Sequence, residues 1–282
     1  VIRRQLIHSF THAALSPEPD LAVAALMIAR LEYPKLDAGP YLDQLDAIGR
    51  EAQSRVAAAE PLDEEAPSGV DPERYAQVLA LNQYLFGEMR FVGNERHYED
   101  PRNSCLNEVL ERRTGIPITL ALLYIEIARR AGLPVEGVNA PGHFLLRCRA
   151  RRELPYDDLI IDAFHGGALL ASESHRLPHA TKPQILARML LNLKQLYVKM
   201  HSFPQARDVT ELLVAVDPSA LNELRDRGLL AYHLKDFPAA LRDLQAYLQL
   251  SASHDLNESD REEHAQIWEH VKTLRRRVAA LN

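Results

Sequence analysis

The sequence predicts an α+β protein that is mostly helical, with a small antiparallel sheet in its middle and helical hairpins after it. Three observations predict this. Apolar residues recur at helical spacing through the N-terminal third. Two short apolar runs, FLLR after His143 and LII before Asp162, follow a Gly-Leu-Pro turn and read as strands. From Leu193 onward, chemically similar residues return at an offset of 34. These divide the chain into a helical segment over 1–98, a core over 99–182 and terminal helices over 183–282.

In the first segment, DLAVAALMIARLEYP opens with Asp20 as N-cap and runs until Pro34 stops it. GPYLDQLDAIGREAQSRVAAA is a second helix with Pro40 near its start and Leu42, Leu45, Ile48 and Ala52 on one face. The acidic, Pro- and Gly-bearing stretch EPLDEEAPSGVDPE is a loop. PERYAQVLALNQYLFGEM is a third helix, and FVGNERHYEDPRN connects it to the core.

The core begins with a short helix after Asn103, breaks at Gly115-Ile116-Pro117 and continues as a strongly apolar helix to Gly132-Leu133-Pro134. Asn103 and Ser104 read as helix caps, which sets Cys105 in the first helical turn. Gly166-Gly167 is a turn, since no phosphate-binding pattern surrounds it.

In the last segment, Leu196 and Leu230, Met200 and Leu234, Phe203 and Phe237, Pro204 and Pro238, and Ala206 and Ala240 all share the 34-residue offset. That period, with a small residue in the second helix, is the mark of tetratricopeptide repeats, whose hairpins stack because none buries its apolar face alone. WEHVKTLRRRVAAL is a terminal capping helix, with Asn257 to Glu263 as its lead-in loop.

Composition narrows the function. The 282 residues are 26% charged and 46% apolar, with a formal net charge of −6, which argues against nucleic acid as partner. The basic runs Arg147, Arg149, Arg151, Arg152 and Arg275, Arg276, Arg277 read as solvated charge. No apolar run reaches the roughly 18 residues of a membrane span, and the N-terminus lacks the apolar region of a secretory signal. Two cysteines make no disulfide framework, so a reducing cytoplasm is expected.

Candidate chemistry lies between residues 103 and 164. Cys105, His143 and Asp162 occur in the order thiol, imidazole, carboxylate, and a thiolate at a helix N-terminus beside an oriented imidazole is an acyl-transfer nucleophile. Cys105 also suits a small buried hydrophobe on an amphipathic helix, and Cys148 shows no partner. Thr119 offers a hydroxyl one turn inside the apolar helix, although a helical Thr usually bonds its own backbone. Asn103, Ser104, Thr119 and His143 are the candidate binding residues of a cleft. His165, His175 and His179 lack the close spacing of a metal site, so neither metal nor cofactor is expected.

The central stretch resembles the transglutaminase-like superfamily, a cysteine-proteinase-like fold whose pattern is Arg-x-Gly-x-Cys, an apolar helix, then Arg-x-x-Gly-Ile-Pro. Arg129-Arg130-Ala131-Gly132-Leu133-Pro134 matches the end of that pattern, and Arg113-Thr114-Gly115-Ile116 matches its opening. The resemblance then assigns the nucleophile position to Pro117, and the family's His and Asp to His143 and Asp162. GNERHYEDPRNSCLNEVLERRTGIPITLALLY and Pro-Gly-His-Phe-Leu at 141 to 145 further resemble the bacterial SirB family, transglutaminase-like proteins with C-terminal tetratricopeptide repeats, often described as regulators. The resemblance implies a non-catalytic binder of a protein or peptide, through the repeats or the cleft at His143. The alternative is a cysteine-dependent acyl transferase, amidase or peptidase using Cys105, His143 and Asp162.

Overall fold

The helical periodicity of the N-terminal third is realised as helices with identifiable stops. The structure, a computed structural model, describes residues 4–17, 20–62, 64–140, 142–151, 156–170, 178–252 and 258–279. Arg152, His175, Asn257 and the Pro141 of the Pro-Gly-His motif lie outside them. The chain forms two compact units, Ala13–Met189 and Leu190–Asn282 with Val1–His12. No helix among the described residues is long and apolar enough to cross a membrane.

Helix α1 spans Arg4–Leu15. Asp20 accepts from the backbone N–H groups of Ala22 (2.9 Å) and Val23 (3.4 Å), starting α2 (Ala22–Ala29). This helix ends before Pro34, because Arg30, Leu31 and Glu32 bond to carbonyls three residues back and wind the chain into tight turns. Helix α3 (Gly39–Ala57) buries Leu45, Ile48 and Ala52, as its periodicity predicts. Helix α4 (Pro72–Asn82) is capped by Asp71, whose carboxylate accepts from Glu73 N and from Arg151 (2.6 and 2.8 Å). The predicted third helix does not continue as an α-helix to Met89. It widens to a π-helix over Gln83–Glu88, where Met89 N bonds Tyr84 O five residues back and the adjacent Tyr84 and Leu85 are both buried.

Strand β1 (Val92–Gly93) pairs in parallel with β2 (Thr114–Gly115), a pairing too short to show in the sequence. Between them lie a 3-10 turn, Pro101–Ser104, and α5 (Leu106–Arg112). The predicted caps are corrected here. Asp100 caps the 3-10 turn, while Asn103 and Ser104 are buried within it, and Cys105 precedes α5 with extended backbone and no capping bond. The side chain of Asn103 instead fastens the preceding loop, donating to the carbonyls of His97 (2.7 Å) and Tyr98 (3.3 Å) and accepting from Asn94 (3.0 Å).

Helix α6 (Pro117–Arg130) is the centre of this unit, and every residue from Ile118 to Ala128 is buried. Its one buried carboxylate, Glu126, accepts from the backbone N–H of Leu21 (2.8 Å) and from Arg129 (2.9 Å) and Arg130. Arg130 also reaches Asp46 of α3 at 2.7 Å, so one ionic network fastens α6 to α2 and α3. Helix α6 also packs against β3 (Val135–Ala140) and β4 (His143–Cys148) of a four-stranded antiparallel sheet that continues with β5 (Leu159–Asp162) and β6 (Ala168–Leu170), in that order. The sequence located β4 and β5. Strand β3 was hidden in the mixed run VEGVNA, where Gly137 lies so close to the Phe144 ring that a Cβ would sit 2.6 Å from it.

In the second unit, hairpins form from α7 (Lys182–Lys199, from Leu190), α8 (Phe203–Val216), α9 (Leu221–His233) and α10 (Phe237–Ser251). Phe203 and Phe237 both open the second helix of a hairpin, and Ala206 and Ala240 are both fully buried. Helix α11 (Glu258–Ala279) closes the array, with Ile267, Val271 and Leu274 in one core with Leu244 and Leu248. The expected lead-in loop is corrected, since residues 258–263 already belong to α11.

Candidate functional site

His143 begins β4 and Asp162 ends β5. These strands pair Leu146 with Ile161, so continuing the register sets Asp162 opposite Leu145, two residues from His143 and on its face. The pairing is realised: His143 Nε2 lies 2.9 Å from Asp162 Oδ2. The turn after Asp162 folds back on it. Asp162 Oδ1 accepts from the backbone N–H groups of Phe164 (3.0 Å) and His165 (3.3 Å), while His165 Nδ1 approaches Oδ2 at 2.7 Å. One carboxylate oxygen therefore faces two imidazoles.

The turn is held from beneath. Gly166 and Gly167 adopt φ of 68° and 80°, and a Cβ on Gly167 would overlap the Asn82 amide. Asn82 donates to Gly167 O (2.8 Å) and accepts from Tyr124 OH (3.0 Å), which ties the turn to the centre of α6. On its flank Gly93 lies against Phe164, whose carbonyl would be 2.6 Å from a Cβ there, and Tyr98 meets the Phe164 ring edge-on.

Exposure grades outward from a buried anchor. The side chain of Asp162 is 7% exposed, that of His143 28% and that of His165 56%. Burial alone would raise the Asp162 pKa, but hydrogen bonds from His165 and His143 outweigh it and hold the carboxyl below its usual range.

Cys105 is placed differently from the sequence expectation. It is fully buried, its Sγ meets Pro101 O at 3.8 Å, and burial together with the charges of Glu32, Glu108 and Asp100 pushes its thiol up to about 12. The helix-terminus activation expected for it is absent, because Cys105, although it is the N-cap residue of α5, makes no capping bond to the helix backbone and is buried with carboxylate charges nearby. Cys148 is buried in β4, and burial pushes its thiol to about 12 as well; both cysteines are free.

The cleft candidates divide. Thr119 is buried; its hydroxyl donates to Asn103 O (2.7 Å) and accepts from Ile116 N (3.1 Å), joining the start of α6 to the 3-10 turn. Asn103 and Ser104 are buried with it, leaving His143 as the accessible member of the four. Pro117 is half-buried at the first position of α6, where its missing N–H costs nothing.

The basic run at 147–151 is also corrected. Arg147 is buried between Glu136 (3.3 Å) and Asp158 (3.6 Å), Arg149 pairs with Glu136, and Arg151 with Asp71 and Glu73.

Sequence spacing passed over His165. Its signal was local: an imidazole three residues after a strand-ending Asp, followed by two glycines that turn the chain back. His143, Asp162 and His165 bring two imidazole nitrogens and a carboxylate oxygen within 4.8 Å of one another, whereas His179 faces Glu136 at 3.3 Å.

Residues 40–187 match the transglutaminase-like superfamily, and residues 193–274 match the tetratricopeptide repeat. A UPF0162 protein of Xylella fastidiosa is 39% identical over 260 residues, 83% of this chain and 84% of that protein. Human F-box only protein 21 is 36% identical over 185 residues, 59% of this chain and 30% of that protein. Among solved structures, menin covers 95% of this chain and 74% of its own, at 11% identity and a TM-score of 0.45. With the superfamily match spanning more than half its length and a repeat match behind it, the chain belongs to the transglutaminase-like superfamily, as a relative of the bacterial UPF0162 proteins.

Proposed function

We propose that this is a non-catalytic, regulatory protein of SirB type that binds a protein or peptide partner. The observation that carries the reading is Pro117 at the first position of α6, the place to which the superfamily pattern assigns the nucleophile. Proline brings no lone pair that attacks a carbonyl. The buried thiol of Cys105, with carboxylate charges nearby, does not supply one in its stead. The helical segment over 1–98 and the core over 99–182 then act as a scaffold for recognition, with 183–282 adding a tetratricopeptide surface suited to peptide segments. Two free, buried cysteines suit a reducing cytoplasm.

The second reading, a cysteine-dependent acyl transferase or peptidase, is favoured by one observation: the His143–Asp162 pair is formed as a catalytic pair would be. An acyl-labelling experiment separates the two. Purified protein is treated with an activated acyl ester at neutral pH and its intact mass is measured. Unmodified Cys105 is expected; an acyl adduct on Cys105 that disappears in His143→Ala overturns the binding reading. Partner capture by the full chain and by a chain lacking 186–282 then shows whether the repeats or the core hold the partner.

A further inference from the structure

We propose that His143, Asp162 and His165 form a binding site for a divalent transition-metal ion of the zinc class, with His143 Nε2, His165 Nδ1 and Asp162 Oδ2 as ligands. The inference is independent of which partner the protein binds.

The donor set is the first argument. Two imidazole nitrogens and one carboxylate oxygen suit zinc and its first-row neighbours, and three protein ligands leave coordination positions for water or another donor. Convergence is the second. Both imidazole nitrogens already point at the same oxygen, at 2.9 and 2.7 Å, and the two ring centroids stand 5.9 Å apart. Ligands about 2.1 Å from a tetrahedral ion lie about 3.4 Å from one another, so insertion moves each ring nitrogen roughly 0.5–0.7 Å away from Oδ2. The half-exposed His165 ring and the partly exposed His143 ring supply that movement.

Support behind the ligands is the third argument. The free oxygen of Asp162 is fixed by the N–H groups of Phe164 and His165, and the turn by the Asn82–Gly167 bond, so the carboxylate is oriented before an ion arrives. A metal would replace the ring protons that now bridge to Oδ2. In each neutral imidazole the displaced proton moves to the other ring nitrogen, so no net charge is lost from the rings. The arrangement also accounts for His165, which has no place in a Cys-His-Asp mechanism.

The test is a zinc titration of the chelator-stripped full chain against a chelating dye, repeated with cobalt to read ligand-field bands. One equivalent of zinc and a cobalt spectrum of low coordination are expected. His165→Ala and His143→Ala should each weaken zinc binding by about tenfold or more. His165→Ala changes a largely exposed side chain, so its fold is retained and it carries the test if the other variant is unstable. Zinc binding that is absent in the wild type, or that weakens less than tenfold in His165→Ala, overturns the proposal.

Discussion

His201 and Lys235 stand 34 residues apart and both adopt left-handed backbone, with φ of 56° and 61°. Around them the bonds repeat at the same offset. Ser202 N reaches Tyr197 O (2.8 Å) as Asp236 N reaches Ala231 O (2.9 Å), and Ala206 N reaches Ser202 O (3.0 Å) as Ala240 N reaches Asp236 O (2.9 Å). The repeat thus extends to backbone conformation at positions where the side chains, His and Lys, share nothing.

A non-glycine residue in this region costs about 1–2 kcal/mol, against about 0.5–1 kcal/mol for the extra unfolded freedom of glycine. Lys235→Gly should therefore raise stability by about 0.5 kcal/mol, read as a higher urea midpoint. His201→Gly should gain less, because it removes a ring that packs against Phe203 at 5.9 Å. A lower midpoint for Lys235→Gly would contradict the account.

The two turn glycines should respond unequally. Gly166 faces open space, so alanine there costs only the left-handed strain less the unfolded freedom it removes, about 0.5–1 kcal/mol. Alanine at Gly167 must also displace Asn82 and break its bonds to Gly167 O and Tyr124, which brings the loss to about 3 kcal/mol or more. Equal losses in chemical denaturation would remove Asn82 as the support of the turn.

Glu126 concentrates three dependencies in one buried carboxylate. Removing it leaves Leu21 N–H without its acceptor and Arg130 half-paired at the interior face of α6. Glu126→Ala should cost about 3–5 kcal/mol. A loss below 1 kcal/mol would mean that the network is dispensable.

Both thiols are raised to about 12, above the value near 9 of an exposed thiol. A raised pKa means the unfolded chain releases the proton first. The stability this contributes is whole below pH 9 and is lost as pH rises from about 9 towards 12. A Cys105→Ala, Cys148→Ala double variant should show a flatter alkaline profile in denaturation. An identical slope would refute the burial argument.

Pro117→Cys places a thiol at the half-buried N-terminus of α6, where the helix dipole favours thiolate. One thiol per chain should then react with a neutral-pH alkylating reagent, against none in the wild type. Labelling of Cys105 in the wild type at a comparable rate would undo the contrast.

Much of the architecture was legible because periodicity is a local property. The apolar face of α3, the Asp20 and Pro40 starts, and the 34-residue offset needed only spacing along the chain. Less was legible where a partner distant in sequence decides conformation. Asn103 reads as a cap from its neighbours, yet its amide is taken by the carbonyls of His97 and Tyr98, and Asp100 does the capping. Arg147 reads as solvated charge until β3 lays Glu136 beside it.

The sequence by itself determined the helices α2 to α4 up to Asn82, the strands β4 and β5, the repeat and the presence of proline at the head of α6, since each follows from residue type and spacing. Only the tertiary structure decided what the polar groups do. A side chain's chemistry depends on its surroundings: burial, reinforced by the charges of Glu32, Glu108 and Asp100, keeps Cys105 protonated, and a glycine turn swings His165 onto the oxygen already facing His143. Those neighbours are brought together by folding, so no local pattern carries them.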